Sequence, residues 1–316
     1  ALPISGGLGN DTLDGAAGSD YAMYTTATQA VVVDLKAGTA TGEGMDTLLN
    51  IENAIGSNYN DRLVGTDAAN ILDGGWGDDL MVGGLGADTY FVNSLKDQVI
   101  ELKEATVLDT VVLTSTNTNN YVLASNVEVV KVGFTSADYV SAWGSSSISN
   151  SVFDGNNDQF MHITGNSGNN TIIGGDGIDF LSGGGGTDTL IGGKGGDVYL
   201  YDGAAGLKFI ENASEGEDVV LTIANYSLGD KSNIEDAIAF TDKNGFSPDL
   251  DLTGNELNNV LIGNFGSNVI KGLVGDDVIA GYGGDDLLYG GDGADKFIWS
   301  QQGYEGVFRS EERRVG

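Results

Sequence analysis

The chain has no cysteine, a single histidine, two prolines and only 14 basic residues. Without cysteine there is neither a disulfide framework nor a thiolate metal site, and His162 alone cannot build a histidine-rich zinc site. Any bound metal is therefore held by oxygen. The 14 Lys and Arg stand against 46 Asp and Glu, a formal net charge of -32, which disfavours nucleic acid or an anionic membrane as a partner and favours cations. No run of 18 or more apolar residues occurs, so no transmembrane segment is expected. The opening ALPISGG has neither the charged start nor the apolar stretch of a signal peptide. There is no HExxH, no Ser/His/Asp set using more than the one histidine, and no glycine loop followed by the lysine that phosphate binding needs. No enzyme activity and no catalytic residue are expected within these 316 residues.

Glycine is what the chain has in excess. Its 51 residues are about twice the usual share, yet together with proline they fall short of a disordered low-complexity composition. The glycines fall in phase. Nine-residue repeats begin at Gly6 and Gly15; at Gly56, Gly65, Gly74 and Gly83; at Gly165, Gly174, Gly183 and Gly192; and at Gly254, Gly263, Gly272, Gly281 and Gly290. Position six is Asp in Asp11, Asp20, Asp61, Asp79, Asp88, Asp179, Asp188, Asp197, Asp277, Asp286 and Asp295, and Asn in Asn70, Asn170, Asn259 and Asn268. Position eight is large and apolar in every repeat except that of Ala22. A flexible glycine linker would not hold this register.

As a physical object, the repeat GGxGxDxUx, with U a large apolar residue, is a turn followed by a short strand. Its glycines accept backbone angles that turn carbonyl oxygens toward one point, and the Asp adds a charge at the rim. The xUx tripeptide is extended, with its middle side chain on the face opposite to its neighbours. Two repeats make an 18-residue coil, and stacked coils pair their strands in parallel while position eight fills the interior. Loops one coil apart then enclose a cavity of carbonyls and two position-six side chains, suited to Ca²⁺, which takes six to eight oxygens. Several such ions are expected. The carbonyl donors fall around Gly74, Gly77, Gly83, Gly86, Gly174, Gly177, Gly183, Gly186, Gly192, Gly195, Gly272, Gly275, Gly281, Gly284, Gly290 and Gly293.

The pairing is by 18 residues. Asp179 with Asp197 and Asp277 with Asp295 should be the tightest sites, and Asp79 should face Asp61. Stacks of Asn with Asp, such as Asn70 with Asp88, Asn170 with Asp188, Asn259 with Asp277 and Asn268 with Asp286, carry one charge fewer and should bind more weakly. Tyr59, Ala68 and Leu257 interrupt the fourth-position glycine and mark distorted cups, whereas Asp11 and Asp20 lack a downstream partner of the right type and look to coils upstream.

GGLGNDTLD, GGWGDDLMV, GGLGADTYF and GGDGADKFI resemble the calcium-binding nonapeptide of the repeats-in-toxin (RTX), hemolysin-type family without a mismatch at its Gly, Asp and apolar positions. The resemblance implies an all-β parallel β-roll, or β-solenoid, that binds Ca²⁺. It also implies one-step export from a Gram-negative bacterium to the medium or cell surface, and folding after export. Two wider roles stay open. The array is the secretion and folding module of an exported protease, lipase or polysaccharide-modifying enzyme whose catalytic domain lies upstream, or the stalk of a large adhesin or surface-layer protein. No cell-surface or host target is assigned.

The chain divides accordingly. Nonapeptide blocks occupy 1–23, read as truncated upstream, and 56–91, 165–200 and 254–298; connecting coils occupy 24–55, 92–164 and 201–253, and 299–308 opens a further segment. Residues 309–316, RSEERRVG, hold three of the four arginines and resemble a translated sequencing adapter, so they carry no expectation for the fold. The connectors repeat loosely, running from an Asp through a β-rich stretch to Asn-Ile/Val-Glu, with VIE or FIE ahead of the Asp in the later two. Their acids Glu52, Glu101, Glu128, Glu211 and Glu235 could be offered as a glycosidase pair, but their recurrence in repeated coils favours a structural role. Asp154, Asn156 and Asp158 imitate the start of a helix-loop-helix calcium loop, with Gln159 where its glycine belongs. The aromatics at position eight of the last repeats, Tyr90, Tyr199 and Phe297, are expected to fill the core where the roll widens into the next connector.

Overall fold

A computed structural model of the chain describes residues 3–103, 107–114, 121–132, 161–229, 233–240 and 247–298. The candidate loop at Asp154, Asn156 and Asp158, the irregular stretch 136–160 and the segments 299–308 and 309–316 lie outside the described residues. Among the described residues every regular element is a strand. They fall into two compact units, one of residues 1–176 with 183–188, the other of 177–182 with 189–316.

Both units are parallel β-solenoids. In the N-terminal unit Leu80–Val82 pairs with Arg62–Val64 on one side and Gln98–Ile100 on the other, while Thr89–Val92 pairs with Ile71–Asp73. Each of these registers is offset by 18 residues, as in Met81 beside Leu63 and Tyr90 beside Leu72. Parallel neighbours need a long crossover, and a turn, an opposite strand and a second turn supply it within one coil. In the C-terminal unit Asp179–Ser182 pairs with Val198–Tyr201, Val260–Ile262 with Val278–Ala280, and Val269–Val274 with Leu287–Asp292, again 18 apart.

Position eight is the core. Leu63, Leu72, Met81 and Tyr90 in the first unit, and Leu181, Leu190, Tyr199, Leu261, Ile270 and Ile279 in the second, are wholly buried. Each such side chain contributes roughly 1.5–3 kcal/mol by leaving water. Their strand neighbours at positions seven and nine are mostly half-exposed, as the period-two alternation requires.

The connectors continue the roll with longer coils. The register steps from 18 to 21 between Thr89 and Thr110, and again between Val198 and Val219. Tyr90 and Tyr199 stand at those two steps, buried, each with its hydroxyl donating to a connector glutamate, Glu101 and Glu211. Phe297 pairs with Ile279 and is half-buried. The segment 24–55 is different: Val32–Asp34, Thr39–Thr41 and Met45–Leu49 form an antiparallel meander set into an otherwise parallel sheet. It joins Arg62–Val64 at one edge and Thr12–Asp14 at the other, both in parallel.

Candidate metal centre

Why two glycines open each repeat is visible at Gly75. Its φ of +79° is left-handed, and a methyl group there would overlap the carbonyl oxygen of Ser57, one coil back. Loops one coil apart thus touch backbone to backbone, as at Gly77 over Tyr59, Gly195 over Gly177 and Gly293 over Gly275. The first glycine makes another contact. A methyl at Gly272 would meet Asp277 Oδ2 of its own repeat and the carbonyl oxygen of Gly290, one coil on. Carboxylate and carbonyl oxygens therefore converge beside this glycine.

Position six forms a ladder at the predicted offset. The N–H of Asp61 donates to Asp79 Oδ1 (2.8 Å), of Asn70 to Asp88 (2.7 Å), of Asn170 to Asp188 (2.7 Å) and of Asp179 to Asp197 (2.8 Å). The N–H groups of Asn259, Asn268 and Asp277 donate likewise to Asp277, Asp286 and Asp295, at 2.9, 3.0 and 3.1 Å. One oxygen of each upper side chain is thereby used. The second oxygens of Asp79, Asp197 and Asp277 are buried with no hydrogen-bond donor among the described residues. Asp79, Asp197 and Asp277 expose 2%, 0% and 0% of their surface, so an ionised carboxylate there is short of solvation. Burial pushes the carboxyls of Asp79 and Asp197 up to about 7, and raises that of Asp277.

Repeats that open a block are built differently. Asn70, Asn170, Asn259 and Asn268 each accept, through Oδ1, the N–H of position two in their own repeat, at 2.6–3.0 Å. The position-two side chain in turn caps position four: Thr66 accepts from Ala68, Asn166 from Gly168, Asn255 from Leu257 and Asn264 from Gly266. Asp61 follows the same scheme, accepting from the N–H groups of Ser57 and Val31 on its two oxygens. These are local side-chain turns that use up the oxygens a cation would need.

The connectors extend the ladder with acids that the nonapeptide pattern does not predict. Asp79 N–H donates to Asp97, Asp88 to Asp109 and Asp197 to Asp218, at 3.0, 2.9 and 2.8 Å. Glutamates follow: Asp109 donates to Glu128 and Asp218 to Glu235, at 3.0 and 2.9 Å. Asp11 and Asp20, expected to look upstream, have downstream acceptors at 2.9 Å in Asp46 and Glu52. The meander accounts for Asp46, because it lays Met45–Leu49 beside Thr12–Asp14. The signal in sequence was the recurring Asp and Asn-Ile/Val-Glu of the connectors, whose spacing departs from nine.

Can these residues hold calcium? The donor set fits: oxygen ligands only, carbonyls at close approach, and buried carboxylate oxygens in need of a positive partner. The described residues also include two triads of buried carboxylates, Asp88–Glu101–Asp109 and Asp197–Glu211–Asp218, each within 4.8 Å. A family model described as the RTX calcium-binding nonapeptide repeat matches residues 4–22, 55–90, 164–199, 253–281 and 262–297. No curated protein matches the chain significantly. The matched segments cover the four blocks and leave the connectors outside.

Proposed function

We propose, on the premise that its four blocks are RTX calcium-binding nonapeptide repeats, that this chain is a calcium-responsive β-roll that completes its fold outside the cell. The observation carrying this reading is the buried, unpartnered second oxygen of Asp79, Asp197 and Asp277 in an otherwise hydrogen-bonded ladder. Asp79, Asp179, Asp197, Asp277 and Asp295 belong to the stacks we assign to ions. The self-capped repeats of Asp61, Asn70, Asn170, Asn259 and Asn268 contribute carbonyls and neighbours, not carboxylate ligands. Bound Ca²⁺ supplies positive charge where these carboxylates are packed.

A chain at -32 repels itself. Where calcium is scarce its folded state must bury unneutralised carboxylates, so the unfolded state is favoured; at about millimolar calcium, binding energy becomes folding energy. Such a switch suits export in an unfolded form followed by folding in the medium or at the cell surface. The chain's own role is binding and mechanical, with a parent enzyme or adhesin as the wider setting.

Calcium uptake by equilibrium dialysis tests the assignment. Asp79→Asn and Asp277→Asn should each bind fewer ions than the unaltered chain, whereas Asp61→Asn should bind the same number. Equal uptake by all three would reject the choice of sites, and no uptake by the unaltered chain would reject calcium binding itself.

A further inference from the structure

At the end of the third block the roll changes its chemistry. Inside a block, the first glycine of a repeat lies against the carbonyl oxygen of the first glycine one coil on, as Gly254 does against Gly272. Gly192 has no such successor. The register there is offset by 19, Thr189 beside Lys208, which puts Glu211 at the vacant place. A methyl at Gly192 would meet Asp197 Oδ2, Glu211 Oε1 and the Tyr199 hydroxyl. A glutamate side chain thus stands where a glycine carbonyl stood, and Asp218 adds a third carboxylate within 4.8 Å.

The group is held in place. Tyr199 OH donates to Glu211 Oε1 and accepts the N–H of Gly192 at 2.6 Å, while Asp218 Oδ1 accepts the N–H of Asp197 at 2.8 Å. Asn233 Nδ2 fixes the Glu211 carbonyl at 2.8 Å. Yet Asp197 Oδ2 and Glu211 Oε2 are buried with no hydrogen-bond donor among the described residues, on side chains only 0% and 9% exposed. Three carboxylates this close, anchored and short of donors, need a counter-charge.

We infer that Asp197, Glu211 and Asp218 form a junction site for one hard divalent cation, of calcium's size and charge, that seals the end of the 165–200 block against its connector. The site rests on the calcium reading only for Asp197; its other two carboxylates come from outside the nonapeptide. The same construction recurs independently in the N-terminal unit. There a methyl at Gly83 would meet Asp88 Oδ2, Glu101 Oε1 and the Tyr90 hydroxyl, and Asp109 completes the triad. Asn126 fixes the Glu101 carbonyl at 3.0 Å. Burial pushes Glu211 up to about 8 and Asp218 to about 6, which agrees with a pocket short of positive charge. Tyr199 is a positioning residue, since its hydroxyl orients Glu211.

The test counts ions bound by the full chain, with radioactive calcium in equilibrium dialysis at saturation. Glu211→Gln and Asp218→Asn should each bind one ion fewer than the unaltered chain, and the exposed Glu217→Gln the same number. Both variants should also resist urea better than the unaltered chain in chelator and worse in calcium. A side chain serving only as a hydrogen-bond acceptor would lose stability in both media. Unchanged ion number in both variants, with uptake by the unaltered chain intact, overturns the junction site alone. Absence of all uptake by the unaltered chain overturns the wider calcium reading as well. If neither variant folds in calcium, terbium luminescence decides. Emission sensitised by tyrosine should fall in Tyr199→Phe relative to the unaltered chain, and equal emission overturns the site.

Discussion

Two glycines with nearly the same backbone angle separate coil stacking from turn strain. Gly7 has φ +77° and open space where a side chain would go; Gly75 has φ +79° and the Ser57 carbonyl oxygen in that space. An alanine at either position meets the left-handed penalty of about 1–2 kcal/mol. At Gly75 the methyl must also push two stacked loops apart, an overpacking cost of about 1–3 kcal/mol more. Gly7→Ala should therefore lose about 1–2 kcal/mol and Gly75→Ala about 2–5 kcal/mol. Gly229, with φ +77° and nothing within 4 Å, extends the comparison to the C-terminal unit and should match Gly7. Urea titrations in saturating calcium, followed by far-ultraviolet circular dichroism, give the differences. Equal losses at Gly7 and Gly75 would refute the claim that loops one coil apart touch through their glycines.

Met81 is fully buried on the interior ladder, so Met81→Ala should destabilise the calcium-loaded roll by about 2–5 kcal/mol; a loss below about 0.5 kcal/mol in urea titration, the range of surface substitutions, would contradict its place in the core. Acid should substitute in part for calcium. Burial raises Asp79 and Asp197 to about 7 and Glu101 and Glu211 to about 8, above the ordinary carboxylate range near 4, so the folded chain takes up protons. Metal-free stability is then greatest below about pH 4 and is lost as pH rises from there through about 8. More β-structure at pH 5.5 than at pH 8 in calcium-free buffer is expected, and the reverse order would contradict it. Ser57→Gly should open the capped loop around Asp61, which would then lose the hydroxyl bond at 2.9 Å, and lower urea resistance more in chelator than in calcium; an equal effect in both media would speak against that cap.

Much of this was legible because the nonapeptide is redundant. Fifteen repeats in phase give the 18-residue offset, the inward position eight and the convergence of position six on one column. Four things were not. The meander at Val32–Leu49 uses the same Val, Thr and Leu alternation as a parallel strand, so nothing in the pattern sets its direction. The connector acids escaped because Asp109 and Asp218 follow their ladder neighbours by 21 residues, while Glu128 and Glu235 reach the same place with one more methylene. The junction triads depend on that same change of spacing, which brings Glu211 under Gly192 by a 19-residue step. The capped repeats were marked in sequence at Tyr59, Ala68 and Leu257, but the cause lies two residues earlier, where Ser57, Thr66 and Asn255 replace the second glycine and accept the turn's own N–H.

Far-ultraviolet circular dichroism of the whole chain, titrated from chelator to millimolar calcium at neutral pH, tests the central claim most directly. The account predicts a cooperative gain of β signal across the titration, reversed by chelator. The same β content at both ends would contradict it.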